Sequence, residues 1–334
     1  MARALRIGLL AGLAVGAALA AWLAWFAHRP LALPSMPYEF TVRAGSSLKT
    51  VSRELAAGGL LGEGESFWIL GRLLGKAASI RAGTYRLDAA LTPLQLLDKL
   101  ARGDVVLVEI TFVEGSTFRQ WLGALAADAQ VRHTLAGLGD SQLRGLLETG
   151  EEPLEGWFFP DTYRFSPGSS DLDILRRAHA AMVRRLDAAW AARDPSVPLA
   201  TPYDALILAS IIEKETGLAA ERPLIASVFA NRLKLGMRLQ TDPTVIYGLG
   251  ERYDGRIHKR DLESDTPWNT YTRDGLPPTP IAMPGEQALQ AALHPAATQF
   301  LYFVSRGDGS HEFSRTLGEH NRAVARFQLH GGST

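Results

Sequence analysis

The sequence predicts an α+β protein in three parts: a single N-terminal helix of membrane-spanning length, a small α+β module and a larger α+β domain. Three observations carry this reading. An uncharged apolar run covers residues 7–27; short alternating strands followed by capped amphipathic helices fill residues 38–102; and from residue 103 onward, strand patterns and longer helical patterns lead to a closing hairpin. With 334 residues, 46% hydrophobic and 21% charged, the chain can build more than one core.

The N-terminal run at 1.5 Å per residue reaches roughly the 30 Å of a bilayer's hydrocarbon interior. A cleaved leader ending near Ala18-Leu19-Ala20 is the competing reading, but the run continues through Trp22, Leu23, Trp25 and Phe26. Aromatic residues at that end suit a membrane interface, which favours an uncleaved transmembrane helix over residues 7–27. Arg3 and Arg6 place residues 1–6 in the cytoplasm and the body on the exported side, although Arg29 weakens the asymmetry. Residues 28–37, with Pro30, Pro34 and Pro37, read as a tether.

In the module, "YEFTVRAGSSLKTVSRELAAGGLL" gives an alternating strand, a turn, a serine N-cap and an apolar-periodic helix stopped by Gly58-Gly59. A second strand around residues 84–87 precedes a helix announced by Thr92 and Pro93 and closed by Gly103. The larger domain opens with an alternating strand over residues 105–113 and a helix over 118–127. Further helices are expected at about 171–192, 202–216 and 219–235, then a loop-rich stretch from 240 to 285. Arg176, Arg177, Arg184 and Arg185 read as a solvated face. "LYFVSRGDGSHEFS" reads as a hairpin turning at Gly307-Asp308-Gly309.

Composition excludes several functions. Lys and Arg balance Asp and Glu at 35 each without a block of like charge, so nucleic acid is not the expected partner. The absence of cysteine removes disulfides, thiolate catalysis and thiolate metal sites. Eight histidines are scattered without an HExxH pair, and no Gly-rich phosphate loop or GxSxG elbow occurs, so neither metal nor cofactor is expected.

Chemistry concentrates in "TPYDALILASIIEKETG". Thr201, Pro202 and Asp204 signal a helix start, and residues 205–212 are apolar on nearly every face, Ser210 excepted, which predicts a buried helix. Glu213 and Glu215 lie about 200° apart around the helix and cannot act as a close pair. Glu213 lies over Ala209 and Ser210 near the helix C-terminus, where the macrodipole and apolar surroundings both favour the protonated carboxyl that a general acid needs. On this helix alone, an ordinary surface charge triplet explains the residues equally well.

"ASIIEKET", "ANRLKLGMRLQTDPTVIYG", "NTYTRDGLPPTPIAMPG", "ALHPA" and "YFVSRGDGSHEFSRTLGEHN", in this order, resemble the membrane-bound endolytic murein (peptidoglycan) lytic transglycosylases, the MltG or YceG-like type. "LEGWFFPDTYRF" fits the same pattern. The resemblance covers nearly all of the chain after the tether. It implies that residues 38–102 form a LysM-like module and residues 103–330 the catalytic domain. The implied reaction is non-hydrolytic cleavage of the β-1,4 bond between N-acetylmuramic acid and N-acetylglucosamine in nascent strands. It leaves 1,6-anhydro ends and terminates strand elongation.

The family's catalytic glutamate, taken as the first of "EKET", falls on Glu213. Ordinary glycosidases use two carboxylates; a lytic enzyme needs only one, because the muramyl 6-hydroxyl is the nucleophile. By the same resemblance Gln240, Thr241, Asp242, Asn269 and Tyr271 line the cleft and bind sugar, with turn chemistry for Thr241-Asp242-Pro243 and core packing for Tyr271 as competing readings. Phe158 and Phe159 are expected in the core, with Trp157 left open. The implied partners are peptidoglycan glycan strands, peptidoglycan synthases and the inner membrane, with the body in the periplasm. Two rival readings stand beside this one: a non-catalytic glycan-binding scaffold, and a water-using muramidase in which Asp161 or Asp242 faces Glu213.

Overall fold

The computed structural model describes residues 2–329; the side chains of residues 1–8, 11 and 329, Arg3 and Arg6 among them, lie outside that description. The chain divides into two compact units, Met1–Val108 with Arg164–Ser169, and Glu109–Tyr163 with the chain from Ser170 onward.

The first unit contains α1 (Ala2–His28), β1 (Tyr38–Val42), α2 (Leu48–Ala57), α3 (Gly64–Leu73), β2 (Gly83–Leu87) and α4 (Pro93–Arg102). Among the described residues, no helix is long and apolar enough to cross a membrane. β1 and β2 pair antiparallel with Tyr38 opposite Leu87 and Val42 opposite Gly83, and Phe40 stacks on Tyr85 at 5.5 Å. Their buried face meets Val51, Leu55, Phe67, Leu96, Leu97 and Leu100 from the three module helices. The buried Tyr85 hydroxyl reaches the carbonyls of Arg81 at 2.7 Å and Leu100 at 3.2 Å, as a hydroxyl inside a core must. α4 begins as its sequence announces, with a capping box between Thr92 and Gln95 and Pro93 in the first turn.

The segment read as a tether is docked on this module. Ala27 at the end of α1 and Leu31 just beyond it are buried in the module core, and the Leu31 N–H donates to the Leu91 carbonyl at 2.8 Å. Apolar side chains at both positions exchange water for the module interior, which a freely moving spacer does not do.

The second unit is mainly helical. Of the paired strands β3 (Val108–Thr111) and β4 (Thr162–Phe165), residues 109–111 and 162–163 belong to it, and between the strands lie α5 (Phe118–Ala127) and α6 (Asp140–Leu147). Then follow α7 (Asp171–Ala191), α8 (Pro202–Glu215), α9 (Arg222–Lys234), α10 (Asp242–Leu249), the short α11 (Lys259–Glu263) and α12 (Glu286–Leu293). The hairpin of β5 (Tyr302–Ser305) and β6 (His311–Ser314) and the closing α13 (Leu317–Val324) complete it. Phe303 faces Phe313 across the hairpin, and the turn glycines 307 and 309 take positive φ, which glycine adopts without steric cost.

α8 is the axis of this unit. Residues 205–212 are all 3% exposed or less, enclosed by α7, α9, α10 and α12. Thr201 and Asp204 form the expected capping box, a device worth about 1 kcal/mol. Ser210, the one polar residue in the buried stretch, is fully satisfied: its hydroxyl donates to the Ile207 carbonyl at 2.7 Å and accepts the Ile281 N–H at 3.0 Å. Phe158 and Phe159 are core residues, 0% and 7% exposed, and Trp157 stacks on Tyr203.

Two further sequence readings change. The arginines of α7 are not merely solvated: Arg176 donates to the Leu146 carbonyl at 2.9 Å, and Arg185 lies 3.7 Å over the Phe159 ring while reaching Glu286 at 3.3 Å. The stretch from residue 240 to 285 is also less irregular than expected, because Asp242–Leu249 is helical with proline in its first turn, where the missing N–H costs nothing.

Candidate active site

α8 ends in Glu213, Lys214 and Glu215, and the three side chains part company. Glu213 turns toward α9 and α12. Its Oε1 accepts from the Arg222 guanidinium at 3.1 Å and its Oε2 from the Gly285 N–H at 3.0 Å, with side-chain exposures of 6% for Glu213 and 9% for Arg222. Glu114 lies beside this pair, its carboxyl pushed up chiefly by burial and further by Glu213, while Arg222 opposes the shift. A Cβ at position 285 would stand 1.9 Å from a Glu114 oxygen, so a larger residue there would displace the Glu114 side chain. The apolar setting expected for Glu213 is thus an ion pair.

Glu215, on the opposite face, lies in a cleft of about 440 Å³. The cleft is also lined by Arg232, Gln240, Thr241, Asp242, Tyr271, Tyr302 and His311. The Thr241 hydroxyl donates to Glu215 Oε1, and the Tyr271 hydroxyl donates to Asp242 Oδ1 at 2.6 Å. Burial pushes the Glu215 carboxyl up to about 7; the Thr241 hydrogen bond opposes this, the Asp242 charge adds to it, and His311 opposes it again. Desolvation dominates because a carboxylate loses more in leaving water than one neutral donor returns.

The scaffold of the cleft is built by long-range contacts. Arg232 of α9 donates to the carbonyls of Arg238 at 3.1 Å, Leu239 at 2.9 Å and Leu301 at 2.6 Å, and to the Gln240 side chain at 3.3 Å. These bonds hold Gln240 at φ +50°, a left-handed conformation that side-chain-bearing residues avoid unless surrounding structure enforces it. The next residue, Thr241, is fixed by its N–H donating to Thr270 Oγ1 at 3.1 Å. On the far wall, His311 holds Glu221 by its ring Nδ1 at 2.7 Å and its backbone N–H at 3.0 Å.

Of the residues singled out from sequence, Gln240, Thr241, Asp242 and Tyr271 therefore meet in one cleft, and Glu213 and Asn269 are not among its lining residues. Asn269 is 1% exposed; its amide donates to the carbonyls of Asp261, Leu262 and Ser264, and its oxygen accepts the Tyr271 N–H at 2.9 Å. It shapes the loop that presents Tyr271. Asp161 accepts the neighbouring Thr162 N–H at 2.7 Å and does not line the cleft. Glu215, His311, Arg232 and Tyr302 are among the lining residues that sequence reasoning did not single out. The signal for Glu215 was the helical offset itself, which required the two glutamates to serve different neighbours. Among the described residues, no three His, Asp or Glu side chains converge as metal ligands.

Known proteins share this chain's pattern. It is 33% identical over 306 residues to an endolytic murein transglycosylase of Bacillus subtilis, covering 86% of this chain and 83% of that protein. It is 27% identical over 315 residues to an endolytic murein transglycosylase of Streptococcus pneumoniae, covering 84% of this chain and 56% of the longer relative. The crystal structure of a YceG-like protein from Listeria monocytogenes superposes with a TM-score of 0.54 at 30% identity, over 86% of this chain and 99% of that one. The YceG-like family pattern matches residues 40–326, and the chain belongs to that family.

Proposed function

We propose that the protein is an endolytic murein transglycosylase, a lytic enzyme that cuts within peptidoglycan glycan strands, and that Glu215 is its acid–base group. The observation that carries the assignment is the placement of a carboxyl raised to about 7 in the same cleft as Gln240, Thr241, Asp242 and Tyr271. The relatives' shared name supports the reaction class.

In this reading the protonated Glu215 gives its proton to the departing glucosamine O4. The resulting carboxylate accepts the proton of the muramyl 6-hydroxyl as that oxygen closes on the anomeric carbon, leaving a 1,6-anhydro end. Thr241 donates to one carboxyl oxygen, which leaves the other for the travelling proton. Asp242, held by the Tyr271 hydroxyl, supplies negative charge facing the positive charge that develops at the anomeric carbon. Glu213 acts through Arg222 and Gly285 to fix the end of α8, and is the rival candidate for the acid.

A specific observation favours keeping the water-using alternative in the test: Glu215 and Asp242 are two carboxyls in one cleft, the arrangement of hydrolytic glycosidases. Mass spectrometry of the new ends made from uncrosslinked strands decides. Anhydro ends are expected; hydrated reducing ends would assign the reaction to a muramidase, and no new ends at all would leave a glycan-binding scaffold. The same assay run across pH has a definite sign. The active form carries the Glu215 proton, so kcat/KM is flat at acid pH and falls about tenfold per pH unit above about 7. A rate that rises through pH 7 would remove Glu215 from the acid's role.

Residues 7–27 are proposed to anchor the protein in the inner membrane with the body in the periplasm, where nascent strands and their synthases lie. Support comes from the uncharged apolar run and from Arg3 and Arg6 before it. Residues 38–102 are proposed as a LysM-like module that orients the catalytic unit on glycan.

A further inference from the structure

A second cleft, of about 560 Å³, opens beside the first and takes no part in the reaction described above. It is lined by Lys214 from the end of α8, by Pro243, Ile246 and Tyr247 from α10, by Trp268, Ile281, Thr117 and Gln120, and by Glu155. Glu155 is 8% exposed; one oxygen accepts the Phe118 N–H at 3.0 Å and the other the Tyr247 hydroxyl at 3.1 Å. Tyr247 and Trp268 meet edge to face with ring centres 5.5 Å apart, and Trp268 is oriented by its indole N–H donating to Thr279 at 2.8 Å. The Arg119–Glu251 ion pair stands exposed at the rim.

Two pairs of adjacent residues separate the clefts. Glu215 lines the first and Lys214 the second; Asp242 lines the first and Pro243 the second. Consecutive Cα atoms lie about 3.8 Å apart, so the same two chain segments, the end of α8 and the start of α10, contribute to both clefts. The lining combines what a pyranose offers: apolar C–H faces for Ile246, Ile281 and the aromatic pair, and hydroxyl and amide groups for the Lys214 ammonium and the Glu155 carboxyl. A cut in the interior of a strand also leaves sugars to be held on both sides of the bond. We infer that the second cleft binds N-acetylhexosamine units of the same glycan strand, beyond the pair that flanks the scissile bond. The inference rests on the proposed reading of the first cleft. Burial also raises the Glu155 carboxyl to about 7, against the hydrogen bonds from Phe118, Tyr247 and Gly156, so it can present a donor as well as an acceptor to a sugar near neutral pH.

The test uses the full chain in detergent and two substrates stripped of stem peptides: tetrasaccharides and long uncrosslinked strands. Two variants are made separately. Ile246→Trp fills the cleft from a half-buried position, and Lys214→Ala removes the cation from an exposed one, so the second carries the test should the first fail to fold. For each, the ratio of kcat/KM on long strands to that on tetrasaccharides is expected to fall about tenfold, the equivalent of roughly 1.4 kcal/mol of binding. An unchanged ratio would overturn the inference. So would an unchanged ratio beside a loss on a third substrate, long strands that keep their stem peptides, which would assign the cleft to peptide. Glu215→Gln, run alongside, separates the two readings: if it stays active, the assignment of the acid fails while the length ratio still reports on the second cleft.

Discussion

Glu215→Gln is expected to lower kcat on uncrosslinked glycan strands by about a thousandfold, within the 10² to 10⁴ range for removing a positioned general acid. The amide keeps the shape of the carboxyl and can still accept from the Thr241 hydroxyl, so the fold should survive. Above pH 7 the thermal midpoint should rise, and the sign follows from linkage. A carboxyl whose folded-state pKa is raised to about 7 contributes stability that is full below about 4.5 and is lost as pH climbs through 7. The amide carries no such loss. Glu213→Gln is expected to behave in the opposite way, with a lower thermal midpoint because buried Arg222 loses its hydrogen-bonded counter-charge and keeps only Glu114 beside it, and with kcat retained within about tenfold. Measuring kcat and thermal midpoint for both variants decides between the glutamates. A Glu213→Gln enzyme that is fully folded and inactive, beside an active Glu215→Gln, would return the acid's role to Glu213.

Arg222→Ala should produce the largest loss of stability. The guanidinium stands between Glu213 and the helix carrying Gln287, and Glu114 is close enough to feel both its charge and that of Glu213. Its removal leaves two acidic side chains facing each other in a water-poor setting, at a cost of about 3–5 kcal/mol, or roughly 10 °C in thermal midpoint for a unit of this size. Part of the loss should return on acidification, because protonating Glu114, whose carboxyl burial already pushes up, relieves the repulsion. Adding Glu213→Gln to Arg222→Ala should restore stability rather than subtract from it, a coupling that a double-mutant cycle measures directly. Strictly additive losses would show that the pair does not hold the end of α8.

Much of the scaffold was legible because its signals are local. Thr201, Pro202 and Asp204 announced the start of α8, the apolar residues after them its burial, and two glycines the hairpin turn. α10 was not legible, and Thr241 shows why: it occupies an N-cap position, yet its hydroxyl serves Glu215 and makes no capping bond. A residue recruited by a distant partner loses its local meaning. The same holds for the glutamates. Spacing established that they face apart, but which face meets the cleft is decided by Arg222 and Gly285 on one side and Thr241 on the other, and Gly285 lies 72 residues from Glu213. Asn269 reads as a sugar ligand in a motif and is, in the folded chain, the knot of a loop.

The docking of Ala27 and Leu31 into the module core bears on how the protein can be handled. A soluble form that begins at Tyr38 would remove two of that core's buried side chains and the bond from Leu31 to Leu91. It would also strip the cover from the side of α3 that forms one groove with Leu19, Leu23 and Ala27, baring Leu70 beside the already exposed Ile69 and Leu73. A contiguous apolar patch of that kind draws molecules together. Self-association and weakened folding of such a truncated form would then belong to the missing helix end rather than to the enzyme, and a preparation that keeps residues from Ala27 onward would retain those core contacts.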